Sequence, residues 1–502
     1  MKSRSSLLLA APFLFFVLLL IFVFSFAQAQ NIHVTVIGTP DSVVSVYYPT
    51  GGINYYWWKN GSPKALNKDY PTSFTNTLTK SGNVYVSTGK RYENVFIEPG
   101  EEVTLKADYS NKKKLLVFEG RNAEGNLLLS SLDRTFYQQK ARAYFKKDST
   151  VAGIWKGVRQ DMNKETLQFD SLMKLKQITP AFYKYAVTGV NYYYAAVYGA
   201  AIYNDYYRTL YNPKHPEYKA VMHPDYEKAW PEVYKLFSVN DPDALVTEDF
   251  YAFASDYVLW YKVAYARGKS VVKLEEMTPQ NRYQINYAAF EANFTGPVLE
   301  YLLAHYIFDE AMQKDFNPEL LKLFVKFTHR YPQSKYTVFL TPLTDEIMAY
   351  QTKSLQPSAD QVILDEAFSD FDAVLAAFKD KTVYVDLWAT WCGPCKAEFE
   401  FNPGLKAYLK SRNAELLYIS MDKDAVDKQW REMIRYYGLG GNHIRTNDKL
   451  RQDIINRFYD GKGYSIPRYL LIKNGKILND AALQPSDKDK LYQQIDRLIG
   501  AK

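Results

Sequence analysis

The sequence predicts a multidomain chain with an N-terminal β-sandwich, a central all-α region and a C-terminal α/β domain. Three changes of pattern carry that expectation. Up to Asn126, apolar and polar residues alternate with period two between turn residues; from 127 to 357 they follow helical spacing with few glycines; from 358 short apolar runs alternate with helical stretches. The expected division is therefore a leader over 1–29, a sandwich over 30–126, a helical domain over 127–357 and an α/β domain over 358–502.

Composition sets the outer limits. A chain of 502 residues that is 47% hydrophobic and 23% charged is too apolar to be disordered and too polar to cross a membrane many times. Its net charge of +7 comes from 62 basic and 55 acidic residues that are intermixed, so no nucleic-acid partner is expected. The only cysteines are Cys392 and Cys395, too few for a disulfide framework or a four-thiolate zinc site. The six histidines are scattered, and neither a metal nor a cofactor is expected.

Residues 1–29 begin with Lys2 and Arg4, continue through an uncharged apolar run from Leu7 to Phe26 and end in Ala27-Gln28-Ala29. This is the pattern of a secretory signal cleaved before Gln30. The same apolar run is long enough to anchor the chain in a bilayer if it is kept. Either way the remainder is expected in the periplasm or otherwise outside the cytoplasm, where a free dithiol is chemically exceptional.

In the first folded region the expected strands are His33–Gly38, Ser42–Tyr48, Val84–Val86, Val95–Ile97 and Val103–Leu105, paired antiparallel, with Pro99-Gly100 as a turn. Trp57-Trp58 beside Asn60-Gly61 reads as a packed hairpin. In the helical region Asn317 caps a helix that starts near Pro318, buries Leu320, Leu323, Phe324 and Phe327, and ends at His329 and Arg330. Tyr192, Tyr193, Tyr194, Tyr198, Tyr203, Tyr206, Tyr207 and Tyr211 read as packing aromatics whose hydroxyls find a partner, rather than as a peptide or sugar surface.

From residue 358 the order is a helical lead-in over 365–378, a strand Val383–Trp388, a helix from the cysteines to about Lys410, and a strand Leu416–Met421. Helices over 425–437 and 450–458, a strand Arg468–Ile472, a hairpin at Asn474-Gly475 and a helix over 487–499 complete it.

The specific signal is Trp391-Cys392-Gly393-Pro394-Cys395 at the strand-to-helix junction. A C-x-x-C pair can be half a zinc site, a structural disulfide or a thiol-disulfide exchange site. With no further cysteine and no neighbouring histidine cluster, exchange is favoured: the first sulfur sits at a helix start, where backbone N–H groups favour the attacking thiolate. His443, in the same domain, reads as an ordinary loop or strand residue.

Residues of about 360–502 resemble the extracytoplasmic TlpA/ResA-like branch of the thioredoxin-like thiol-disulfide oxidoreductases. The resemblance implies a thioredoxin-like fold, Cys392 as nucleophile and Cys395 as resolving thiol, the two forming a redox-active disulfide. It matches Asp386 to the buried carboxylate that helps deprotonate the second thiol. Ile466-Pro467, after Gly461-Lys462-Gly463, matches the loop whose cis-proline meets the substrate backbone. Trp391, Gly393, Pro394, Ile466 and Pro467 are thus the expected substrate-binding residues. Two positions depart from the pattern: Glu400 stands where the active-site helix usually has its kinking proline, and Tyr418 where thioredoxin has the lysine facing the buried aspartate. The stretch from Phe96 to Val103, with Phe118-Glu119-Gly120 and Asn122 to Asn126, resembles a small β-domain that often precedes such domains in Gram-negative bacteria.

The implied partners are disulfide-containing exported proteins and a membrane thiol donor. A peroxiredoxin would need a proline seven and a threonine or serine three residues before its cysteine. Val385 and Ala389 precede Cys392 at those places, and Trp388 and Cys392 precede Cys395. A binding or sensing protein with an accessory redox domain is the remaining alternative.

Overall fold

The computed structural model describes residues 30–37, 43–47, 61–65, 71–76, 81–88, 91–111, 115–210, 222–265, 278, 281–356, 360–364 and 367–500. The expectations for the leader 1–29, for Trp57-Trp58 and for Tyr211 lie outside the described residues, as do the side chains of Tyr206 and Tyr207. Among the described residues no helix is long and apolar enough to cross a membrane.

Among the described residues eight strands come first: β1 Gln30–Ile37, β2 Val43–Tyr47, β3 Gly61–Ala65, β4 Thr72–Asn76, β5 Gly82–Ser87, β6 Tyr92–Ile97, β7 Glu102–Asp108 and β8 Leu116–Glu119. They make two four-stranded sheets, ordered β4-β1-β7-β8 and β3-β2-β5-β6. Val34, Phe74 and Leu105 from one sheet and Val46, Val86 and Val95 from the other share one apolar core. The expectation of purely antiparallel pairing is corrected at one place: β1 runs parallel to β7. Alternation fixes which face a side chain takes and carries no information on strand direction.

Helices start at Ala123. α1 Ala123–Ser131, α2 Tyr137–Lys147, α3 Val151–Lys174 and α4 Pro180–Leu210 are followed by α5 Pro224–Leu236 and α6 Asp249–Asp256, which runs into a π-helical stretch Tyr257–Tyr265. α7 Arg282–Asn293, α8 Gly296–Met312, α9 Glu319–Arg330 and α10 Thr337–Lys353 complete the region. α2, α3 and α6 pack around the 31-residue α4. Its tyrosines behave as packing residues: the buried Tyr192, Tyr193, Tyr194 and Tyr203 send their hydroxyls to Ser238 O, Thr135 O, Glu165 Oε1 and Asp256 Oδ2, all within 3 Å. The N-cap position of α9 is held by Pro318, one residue later than expected, while Asn317 Oδ1 accepts the N–H of Glu319 at 3.0 Å.

The C-terminal region holds β9 Gln361–Ile363, α11 Phe371–Ala377, β10 Thr382–Trp388, α12 Gly393–Glu398, α13 Asn402–Ser411, β11 Ala414–Ser420, α14 Asp427–Tyr436, β12 Gly441–Arg445, α15 Asp448–Tyr459, β13 Arg468–Lys473, β14 Lys476–Asn479 and α16 Asp489–Ile499. Its six-stranded mixed sheet is ordered β14-β13-β10-β11-β12-β9. β10 lies inside it, parallel to β11 and antiparallel to β13. Every side chain from Val383 to Trp388 is buried, which is why this strand is apolar on both faces except at Asp386.

Two expectations are corrected here. Among the described residues of the helical lead-in over 365–378, the helix is Phe371–Ala377, N-capped by Asp370, whose Oδ1 accepts the N–H of Ala373 at 2.8 Å. The helix after the cysteines does not run unbroken to Lys410: it stops at Glu398, passes through a 3-10 turn Phe399–Phe401 and restarts at Asn402. Pro403 accounts for the break, because it lacks an N–H and its ring would meet the carbonyl of Phe399 in a continuous helix. The kink that Glu400 fails to supply therefore comes from three residues further on.

Candidate active site

β10 delivers the chain to the carboxyl end of the sheet, and the loop Ala389–Trp391 turns it into α12. Cys392 is the N-cap of α12, with its own N–H on Ala389 O at 3.0 Å and its Sγ accepting the N–H of Cys395 at 3.1 Å. The two cysteines are joined by a disulfide, with Cα atoms 5.3 Å apart. Both are buried, Cys392 being 3% exposed, whereas Trp391 is 58% exposed and Pro394 is exposed too. Solvent thus reaches the site through Trp391 and Pro394 rather than across an open sulfur.

The opposite wall is the segment before β13. The Ile466–Pro467 bond is cis, as the loop's resemblance implied, and both residues are half-buried. Arg468 pairs with Leu387 in register, which sets Pro467 level with Trp388 at the end of β10. Tyr464 packs its ring 6.2 Å from that of Trp391.

Asp386 is fully enclosed in the middle of β10. Its register partners are Tyr418 on β11 and Tyr469 on β13, and its Oδ1 has no hydrogen-bond partner. Burial pushes its carboxyl well above the usual carboxylate range, and the like charge of Glu398 pushes the same way. Tyr418, in the position of the expected lysine, cannot offset this; its hydroxyl accepts from Asn402 Nδ2 at 3.1 Å. Glu398 is half-buried. It accepts the N–H and the hydroxyl of Ser486 at 2.8 and 2.9 Å, and burial raises its carboxyl as well.

Sequence reasoning missed the network that holds the loop. Buried Asp422 accepts the Thr390 N–H at 2.8 Å, the Thr390 hydroxyl at 2.9 Å and the Ser420 hydroxyl at 2.7 Å. Buried Lys396 donates to Thr390 O at 2.8 Å, and also to Gln313 O at 2.7 Å and Lys314 O at 3.3 Å. The contacts of Asp422 with Thr390 and of Lys396 with Gln313 and Lys314 join residues far apart in the chain, and no local spacing announces them. His443 is the ordinary strand residue expected of it: buried in β12, it donates from Nε2 to Leu439 O at 2.7 Å and stacks on Tyr418 at 4.8 Å. Burial pushes its imidazolium down to about 4, so the ring is neutral.

The sequence of residues 364–495 matches the Redoxin family model. These residues form a Redoxin domain. Thiol-disulfide oxidoreductase ResA of Bacillus anthracis is 31% identical to the chain over 104 residues, which cover 21% of this chain and 56% of that protein. ResA of Oceanobacillus iheyensis is 29% identical over 80 residues, 16% of this chain and 42% of its own. The chain thus spans about half the length of the curated relatives it matches. Among solved structures, the thioredoxin domain of a thiol-disulfide oxidoreductase from Bacteroides vulgatus is 21% identical with a TM-score of 0.21, covering 25% of this chain and 84% of that one. A thiol:disulfide interchange protein from Bacteroides sp. is 22% identical with the same TM-score, covering 25% and 78%. The Redoxin domain includes Asp386, both cysteines, Lys396, Asp422 and Pro467, and leaves residues before 364 outside it.

Proposed function

We propose that the chain is a secreted thiol-disulfide oxidoreductase that reduces disulfides of exported proteins with the Cys392/Cys395 dithiol. The observation that carries this reading is the pairing of Cys392, at the N-cap of α12, with the fully buried Cys395, between exposed Trp391 and the Pro467 segment.

In the reduced protein the Cys392 thiolate attacks one sulfur of a substrate disulfide, and the other substrate sulfur leaves as a thiolate. Trp391, Gly393, Pro394, Ile466 and Pro467 form the surface that receives the substrate. Cys395, deprotonated with Asp386 as proton acceptor, then attacks Cys392; the mixed disulfide breaks, the second substrate thiol departs and the Cys392–Cys395 disulfide forms. Two electrons have moved from the protein to the substrate, and a membrane thiol donor restores the dithiol. Residues 1–29 are read as a cleaved secretory signal. The two sheets of residues 30–126 are read as a sandwich and residues 127–357 as a helical domain, ahead of the redox domain 358–502.

Insulin reduction by the purified full chain tests the proposal. Turnover that needs Cys392 supports it; a folded, reducible protein that leaves insulin intact refutes it.

A further inference from the structure

We propose that Lys396 is a positioning residue of the dithiol site, through which the helical region's turn at Gln313–Phe316 fixes the loop ahead of Cys392 and the first turn of α12. The inference rests on the reading of Cys392 and Cys395 as an exchange pair.

An ammonium group is costly to bury, and Lys396 is only 5% exposed. Among the described residues no carboxylate pairs with it directly: its partners are the carbonyls of Thr390, Gln313 and Lys314, with Asp315 and Asp422 acting at longer range. Burial lowers this group to about 8 against the pull of those two carboxylates. A methylene stem in water would carry none of this cost, so the position demands three carbonyls converging on one cation. One of them belongs to the loop two residues before Cys392, and the other two belong to the helical region.

The turn that presents those two carbonyls is itself strained. Lys314 and Phe316 are both in the left-handed region, at φ 59° and 53°, where residues with side chains are disfavoured. Such backbone persists only where its surroundings dictate it. They do so here: Phe316 stacks on Tyr350 at 4.4 Å and packs against Tyr436 of α14 at 4.8 Å, while Lys314 pairs with Glu346. The turn is thus clamped between α10 and the redox domain, with its carbonyls aimed at the residue next to Cys395.

The charge of Lys396 then lies one hydrogen bond from residue 390 and favours the anionic form of Cys392. Two variants of the full chain test this, Lys396→Met and Phe316→Ala. The first removes the cation, whereas the second loosens the turn with the cation in place. The readout is the pH profile of Cys392 alkylation in the reduced protein, which is measurable whether or not insulin is turned over. Both variants should move that profile to higher pH and slow alkylation at pH 7 by about three- to tenfold, the change in thiolate fraction for a shift of half to one unit. Far-ultraviolet circular dichroism confirms that each variant is folded. A folded Lys396→Met protein with an unchanged profile overturns the proposal. So does a folded Phe316→Ala protein with an unchanged profile, since the turn would then have no part in it. Silence towards insulin alongside the predicted shifts would refute the exchange function and leave the positioning role standing.

Discussion

Asp386 on β10 faces Tyr418 on β11 in direct register, so its partner on that side is a phenol rather than a cation. With Glu398 as its charged neighbour, the carboxyl is held in its protonated form to higher pH than an ordinary aspartate. Under the proposed mechanism it is the ionised fraction of this acid, with its raised proton affinity, that takes the proton of Cys395 during resolution.

The same shift sets a pH dependence of stability. Because the folded protein holds the Asp386 proton more tightly than the unfolded chain, this group favours folding at low pH. That contribution is lost as pH rises from the ordinary carboxylate range near 4 through the raised value. Asp386→Asn should therefore raise the melting temperature of the C-terminal domain by a few degrees at pH 8, where about 1 kcal/mol corresponds to 2–4 °C, and change it little at pH 4. Calorimetric melts at the two pH values check this. An equal effect at both would assign the change to packing instead.

Cys392→Ser should abolish insulin reduction, while Cys395→Ser should accumulate mixed disulfides with exported proteins. Non-reducing gels of protein captured through the Cys395→Ser variant would display the adducts. Adducts formed through Cys395 in the Cys392→Ser variant would reverse the roles.

The Gly393-Pro394 dipeptide is that of thioredoxin, whose site lies near about −270 mV, against about −120 mV for the oxidant DsbA. A potential on the reducing side is expected from glutathione titration of the purified protein. A value above about −180 mV, the range of protein disulfide isomerase, would make it an oxidase or isomerase.

Asp422→Ala should leave the buried Thr390 N–H and the Ser420 hydroxyl without their acceptor, at a cost of roughly 1–3 kcal/mol for such an orphaned group. Turnover should fall with stability, because Thr390 lies in the loop that carries Cys392. Urea unfolding followed by tryptophan fluorescence gives the first quantity and insulin reduction the second. Full activity in a variant destabilised to that degree would show that the loop needs no anchor there.

The parts legible in the sequence are those written in neighbouring residues. Trp391 to Cys395 announce themselves by spacing, β10 by an apolar run interrupted only by Asp386, and the Ile466-Pro467 segment by its resemblance to the family's loop. The short β9 and β12 escape notice because three to five residues cannot display a period, and the direction of β1 against β7 is not encoded in alternation at all. The break at Phe399 is written in the sequence, in Pro403, three residues beyond Glu400, where the family pattern has its proline. Asp422 and Lys396 become part of the site only when the fold brings Thr390 and Gln313 to them.

That break makes the helix carrying Cys395 only six residues long. Helices shorter than about 12 residues have little stability of their own in water, so α12 takes its orientation from its moorings. One, Glu398 on Ser486, is internal to the Redoxin domain; the other, Lys396 on Gln313 and Lys314, is borrowed from the helical region ahead of it. Dissecting the chain at residue 358, the natural cut for a minimal redox fragment, severs the borrowed mooring. A potential or thiol acidity measured on such a fragment describes a site hung from one side.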